Sequence, residues 1–187
     1  MRLWLSLGLL AVLTAGFVVF NRYSKDVDPL VGAQYERREL AKDFNLPVLG
    51  KSQFFTSEDT LSLAQFRNTP TLIHFWASWC MVCREEKPSL DEFWRKHKDS
   101  DIRVVGIASF DTKQAMDESQ LIRESTFTVI LDQEGDVASS YKVSALPVSF
   151  LVDSEGYIVE KFLGPLQPYD YTAIENYLES IKSRKSH

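Results

Sequence analysis

The chain has 187 residues, 44 % hydrophobic and 12 % aromatic, enough for one packed domain with an appendage to spare. Its formal net charge is −5 with no basic tract, which sets nucleic acid aside as a partner. With only two cysteines the fold must stand on its core rather than on disulfide staples, so the cysteines are free for chemistry.

After Met1 and Arg2, residues 3–20 carry no charge. At about 1.5 Å per residue, such a run approaches the roughly 30 Å of a bilayer core. A cleaved signal would need a pair of small residues after the apolar region. Thr14, Ala15 and Gly16 supply a poor version, and bulky residues continue to Phe20. The reading is an uncleaved membrane anchor over 1–21, a single transmembrane helix. Arg2 on one side and Arg22 and Lys25 on the other do not choose its orientation. Residues 22–43 are mostly polar and read as a tether, and the folded domain is placed at 44–187.

Within that domain, residues 44–49 form a candidate strand, which Pro47 argues to be an edge. Residues 60–66 read as a short strand or turn followed by a small helix. Residues 72–76 are a buried strand. Residues 84–98 form an amphipathic helix with Leu90, Phe93 and Trp94 on its apolar side and Pro88 inside it. A strand follows at 102–108, then a helix started by Asp111 and Thr112 and carrying Ala115, Met116, Leu121 and Ile122. Strands at 128–131, 148–152 and 157–162, a turn or short helix at 137–141 and a helix at 169–181 complete the order. That alternation indicates a layered α/β sheet.

Cys80 and Cys83 sit where the strand at 72–76 hands over to a helix. A thiolate on Cys80 would face unpaired helix amides and the positive end of the helix dipole, which lowers a thiol pKa. Cys83, one turn on, is close enough to pair with Cys80 or to attack a mixed disulfide formed there. The reading is a thiol-disulfide exchange site, with Cys80 as nucleophile and Cys83 as resolving thiol. A zinc site would need further ligands, and His74, His97 and His187 are scattered. A purely structural disulfide closing so short a loop would be a weak staple. No metal and no cofactor is expected. Trp76, Trp79 and Leu146 are candidates for an apolar rim holding substrate, with the core as the alternative place for Trp76 because it lies in the strand, and Pro147 precedes the strand at 148–152. A dithiol pair in a tethered domain makes most sense in an oxidising space, so the domain is placed on the periplasmic or extracellular side of the bacterial membrane.

The run F-W-A-S-W-C-x-x-C-R-x-E, then V-V-G-I, V-I-L-D and Y-x-V-x-x-L-P-x-x-F-L-V-D-x-x-G, resembles the membrane-anchored thioredoxin-like family of TlpA, ResA and DsbE (CcmG) type. The resemblance covers residues from about 44 to the C-terminus. It implies a thioredoxin-like fold, a central mixed sheet flanked by helices with an inserted helical segment at 110–127. It also implies that Cys80 is the exposed nucleophile, Cys83 its buried partner, Pro147 a cis proline facing them, and Glu86 an acidic residue that tunes the cysteines. The activity so implied is reduction of protein disulfides, including those of apocytochrome c during cytochrome c maturation. Electrons would come from an integral-membrane thiol carrier of DsbD or CcdA type. A general disulfide oxidase or isomerase, or a reductase linked to copper or oxidative stress, would use the same fold. A copper-delivery module would need wider cysteine spacing and a distal histidine, and a thiol peroxidase a threonine-plus-cysteine segment that is missing. One departure is His74, where minimal thioredoxins carry aspartate and the tethered branch often asparagine; an imidazole there is either a hydrogen-bonded core histidine or a tuning group that could relay a proton to Cys83 or, if charged, favour the thiolate. The other is Met81-Val82, where proline is common before the second cysteine.

Overall fold

The computed structural model describes residues 39–49, 60–99, 102–119, 122 and 124–185. The segment expected to be an anchor, 1–21, and most of the expected tether lie outside the described residues. Among the described residues no helix is long and apolar enough to cross a membrane.

The strands are β1 (Asn45–Leu49), β2 (Thr60–Ser62), β3 (Thr71–Trp76), β4 (Arg103–Ser109), β5 (Thr128–Asp132), β6 (Val148–Val152) and β7 (Ile158–Leu163). The α-helices are α1 (Met81–His97), α2 (Lys113–Glu118), α3 (Asp136–Ser140) and α4 (Pro168–Lys185), with a 3-10 turn at Leu63–Phe66. The strands form one sheet in the order β2, β1, β5, β4, β3, β6, β7. The β3–β4 and β4–β5 pairs are parallel, whereas β3–β6, β6–β7, β1–β5 and β1–β2 are antiparallel. This is the mixed sheet of a thioredoxin-like fold.

Strand β3 lies between β4 and β6 and every residue in it is buried, which is why its sequence is an apolar run rather than an alternation. Side chains still alternate between faces. Leu72 and Trp76 join the core under α1 and α4 with Leu90, Phe93, Trp94, Ile174 and Leu178. Ile73 and Phe75 join the opposite core with Val105, Ile107, Ile130, Tyr141 and Phe150. His74 falls on the α1 side, where its ring meets Glu86.

Three expectations change. Pro47 is not on the outer edge: Asn45 to Pro47 pair with the short β2, while Val48 and Leu49 pair with β5. Helix α1 starts at Met81, three residues earlier than the amphipathic pattern, because Cys80 caps it. The inserted helix is capped by Thr112, whose Oγ1 accepts from the Ala115 amide at 3.1 Å, and ends at Glu118. Asp111 is committed elsewhere. Leu121 lies outside the described residues; Met116 and Ile122 are buried.

Candidate active site

The C-terminal end of β3 runs through a tight turn, in which the Cys80 amide donates to the Ala77 carbonyl at 3.2 Å, directly into α1. Cys80 has extended backbone angles and is the helix N-cap, and its Sγ accepts from the Cys83 amide at 3.2 Å. Serine, threonine, aspartate and asparagine usually do this work with an oxygen. Here a sulfur occupies the place where helix amides and dipole favour negative charge, as a leaving or attacking thiolate requires.

Cys80 and Cys83 form a disulfide with Cα atoms 5.3 Å apart. Cys80 retains 8 % of its surface and Cys83 only 2 %. The expectation of an exposed nucleophile is therefore narrowed: Cys80 is the more accessible residue of the pair, but it too is buried.

The turn before Cys80 is held from β4. The Ser78 amide donates to the buried Asp111 carboxylate at 2.6 Å, and Trp79 Nε1 donates to the Phe110 carbonyl at 2.9 Å. Trp79 is 62 % exposed. Trp76 is not a rim residue. It is 2 % exposed because it faces the helix side of the sheet. A Cβ on Gly106, which pairs with His74, would lie 2.9 Å from the Trp76 indole nitrogen and 2.8 Å from the Phe127 ring, so only glycine leaves the indole its space.

The Leu146–Pro147 peptide is cis. Val148 pairs with Phe75, so the register brings Pro147 to the sheet edge from which the Trp76-to-Cys80 turn departs. Leu146 is half-buried and packs against the core cluster that contains both cysteines.

Behind Cys83 the site is polar and closed. His74 Nδ1 is 2.9 Å from Ser149 Oγ, its partner across the β3–β6 ladder. His74 Nε2 lies 4.0 Å from Glu86 Oε2. Glu86 Oε1 accepts from the Leu166 amide at 2.7 Å, while Oε2 is buried without a hydrogen bond. Burial pushes the Glu86 carboxyl up to about 7; the Leu166 amide opposes this and the charge of Asp170 adds to it. Burial holds His74 down at about 4. The pair thus carries one proton near pH 6, on the carboxyl, with a neutral imidazole beside it.

A cavity of about 10 Å³ is lined by His74, Trp76, Cys83, Lys87, Leu90 and Phe127. Lys87 forms a buried ion pair with Asp91, whose other oxygen accepts from the Thr126 amide at 3.1 Å and from Thr126 Oγ1 at 2.8 Å. Three buried polar atoms lack partners among the described residues: Trp76 Nε1, Glu86 Oε2 and the Tyr171 hydroxyl. Burial, then the charges of Glu86 and Asp170, push the Tyr171 phenol well above its usual range, so it stays protonated.

Of the residues singled out in the sequence, Cys80, Cys83, Trp79, His74 and Glu86 converge at the junction of β3 and α1, and Trp76 is withdrawn into the core. Missed were Phe110, Asp111, Lys87, Asp91 and Tyr171. Lys87 and Asp91 left a trace, since they fall on the helical stripe of Cys83, Leu90 and Trp94, where charges are out of place. Among the described residues no group of three histidine, cysteine or acidic side chains is placed to hold a metal.

The disulfide at a helix N-terminus, one sulfur more accessible than the other, carries thiol-disulfide oxidoreductase chemistry. Similarities to known proteins agree. The chain is 27 % identical over 121 residues to the thiol-disulfide oxidoreductase ResA of Bacillus cereus, covering 65 % of this chain and 68 % of that one. It is 25 % identical over 169 residues to the thioredoxin-like protein YneN of Bacillus subtilis, covering 89 % and 92 %. Among solved structures, a protein assigned as the thiol:disulfide interchange protein DsbE of Chlorobium tepidum superposes with a TM-score of 0.63 at 28 % identity, covering 76 % of this chain and 95 % of that one. The model of the AhpC/TSA family matches residues 38–161. The chain belongs to the AhpC/TSA family, as a thioredoxin-like thiol-disulfide oxidoreductase related to ResA and DsbE.

Proposed function

We propose that the protein is a reductant of protein disulfides, tethered by its N-terminal segment to the bacterial membrane with the catalytic domain on the periplasmic or outer side, and that its substrates include the haem-binding cysteines of apocytochrome c. The observation that carries the direction is Glu86, a buried carboxyl one helical turn beyond Cys83. When ionised it opposes a thiolate at the pair, and so disfavours the dithiolate relative to the disulfide. Strong oxidants of this chemistry do the reverse, stabilising their reduced form.

In the cycle, Cys80 thiolate attacks a substrate disulfide. The Cys80–substrate bond forms, the substrate S–S bond breaks, and the departing thiolate takes a proton from solvent. Cys83, deprotonated toward the His74 and Glu86 side, then attacks Cys80 Sγ. The Cys80–Cys83 bond forms and the second substrate sulfur leaves reduced. Two electrons pass from protein to substrate, and a membrane thiol carrier of DsbD or CcdA type restores the dithiol. No cofactor enters these steps. The Leu146–Pro147 loop lies beside the extended substrate backbone.

The test is a trapping experiment with the full-length Cys83→Ser protein in membranes. Mixed disulfides on Cys80 that contain apocytochrome c support the assignment; mixed disulfides that never include it overturn the cytochrome part.

A further inference from the structure

Trp76 is buried, and its indole nitrogen is one of three buried polar atoms without a partner among the described residues. A buried N–H with no acceptor costs stability, and native structures seldom keep one without a reason. A Cβ on Gly106 would lie 2.9 Å from Trp76 Nε1 and 2.8 Å from Phe127 Cε2, so the indole nitrogen and the edge of the Phe127 ring flank one point. Lys87 Nζ stands over that same ring, 5.8 Å from its centroid, and pairs with Asp91. Trp76, Phe127, Lys87 and Cys83 all line the cavity of about 10 Å³ behind the disulfide.

Indole and ammonium groups donate hydrogen bonds and accept none. What they attract is an acceptor, and a charged one more than a neutral one. Of the residues on the cavity wall, Cys83 is the one that turns anionic when the disulfide opens. Held in the bond to Cys80 it leaves the indole without an acceptor; as a thiolate it supplies one. A cavity of this size takes about one water-sized atom and nothing larger.

We propose that Trp76 Nε1 and Lys87 Nζ form a donor pocket for the Cys83 thiolate, the species that attacks Cys80 Sγ and releases the substrate. The pocket stabilises the negative sulfur and takes no proton; the Cys83 proton leaves toward His74 and Glu86. The Cys80–Cys83 bond forms and the Cys80–substrate bond breaks. The departing substrate sulfur keeps the electron pair and takes a proton from solvent. The charged and titratable groups around the rear of Cys83 are His74 on β3, Glu86, Lys87 and Asp91 on α1, and Asp170 and Tyr171 on α4. Ionised Glu86 opposes a thiolate there, and the pocket offsets that opposition at the sulfur that must react from the buried side. This inference rests on the exchange reading of the site, with Cys83 as the resolving thiol.

The test uses the full-length reduced protein and a limiting amount of the chromogenic disulfide of thionitrobenzoate. Attack by Cys80 releases the first coloured thiol at a rate proportional to the reactants; attack by Cys83 releases the second at a rate independent of them. Trp76→Phe should slow the second release about tenfold at pH 7 and leave the first within about twofold. The pH profile of the second release should move upward, so that the variant and wild type converge in alkali. A Lys87→Met, Asp91→Asn double variant, which leaves no unpaired charge, should act in the same direction. In the unsubstituted protein, the Trp76 indole N–H resonance should move downfield as the reduced form is titrated through the midpoint of the second release. A second release unchanged in both variants, or an indole resonance that ignores the titration, overturns the pocket and leaves the exchange reading standing. Equal slowing of both releases also overturns it, by making Trp76 a packing residue. No second release in wild type would overturn the resolving role of Cys83 itself, and the pocket with it.

Discussion

The two sides of the disulfide are built from opposite materials. In front of Cys80 the surface is apolar and open, with Trp79, Met81 and Val82 in solvent. Behind Cys83 it is polar and closed, with His74, Glu86, Lys87 and Asp91 buried. Ordinary folding would place these groups the other way round. On the function proposed above, the inversion separates two tasks: the front would receive a protein disulfide, and the rear would handle charge and protons for the buried Cys83.

The largest effect expected is at the sulfurs themselves. Cys80→Ser should abolish exchange, whereas Cys83→Ser should still attack but stop at the mixed disulfide, visible as a stable adduct on a non-reducing gel. An adduct on Cys83 in the Cys80→Ser protein of equal yield would reverse the assigned roles.

Next comes the rear wall. Asp91→Ala leaves Lys87 buried without its partner and frees Thr126, and should cost about 3–5 kcal/mol in urea unfolding. Asp117→Ala breaks a pair of the same spacing on α2, Lys113 with Asp117, but both are exposed there, and the cost should stay below about 1 kcal/mol. Similar losses for the two would mean that the rear is not truly dry.

A smaller effect concerns pH. Glu86 is raised from 4.5 to about 7, so the native state holds the extra proton and this stabilisation is lost as pH climbs from about 4.5 through 7. His74 is lowered from 6.5 to about 4, so its stabilisation is present above 6.5 and lost as pH falls through 4. Between about 4.5 and 6.5 the slopes oppose. His74→Asn should therefore make stability fall with rising pH in that window, and Glu86→Gln should make it rise, each by at most about 1.4 kcal/mol per unit. Urea midpoints at several pH values decide it; slopes of the same sign in both variants would refute the paired-proton account.

The smallest change is in the thiols. Glu86→Gln should lower the pKa of at least one cysteine and make the couple less reducing. An unchanged thiol titration would remove Glu86 from the mechanism.

Much of this architecture is written in local pattern. The apolar run at β3, the cysteines at its junction with α1, and the order of strands and helices follow from periodicity and turn residues. The Asp153 turn is one such case: its carboxylate accepts from the Glu155 and Tyr157 amides at 2.9 Å each, with Gly156 at φ 95°. What escaped depends on contacts between distant segments. Nothing near Phe110 announces Trp79, which is 31 positions away, and nothing near Asp111 announces Ser78, 33 away. For Trp76 the sequence leaves rim and core both open, since a tryptophan beside a redox motif suggests substrate contact and a strand position suggests burial; strand alternation turns it under α1. Glu86 and His74 stand on different elements, and only the packing of α1 on β3 brings them within 4.0 Å.

The most direct test is the reduction potential of the solubilised full-length protein at pH 7, equilibrated against dithiothreitol and glutathione buffers. A value below roughly −220 mV is expected, on the thioredoxin side of the scale, where the disulfide is the favoured state. A value near about −120 mV, the range of DsbA, would make the protein an oxidant and contradict the role assigned to the polar rear wall.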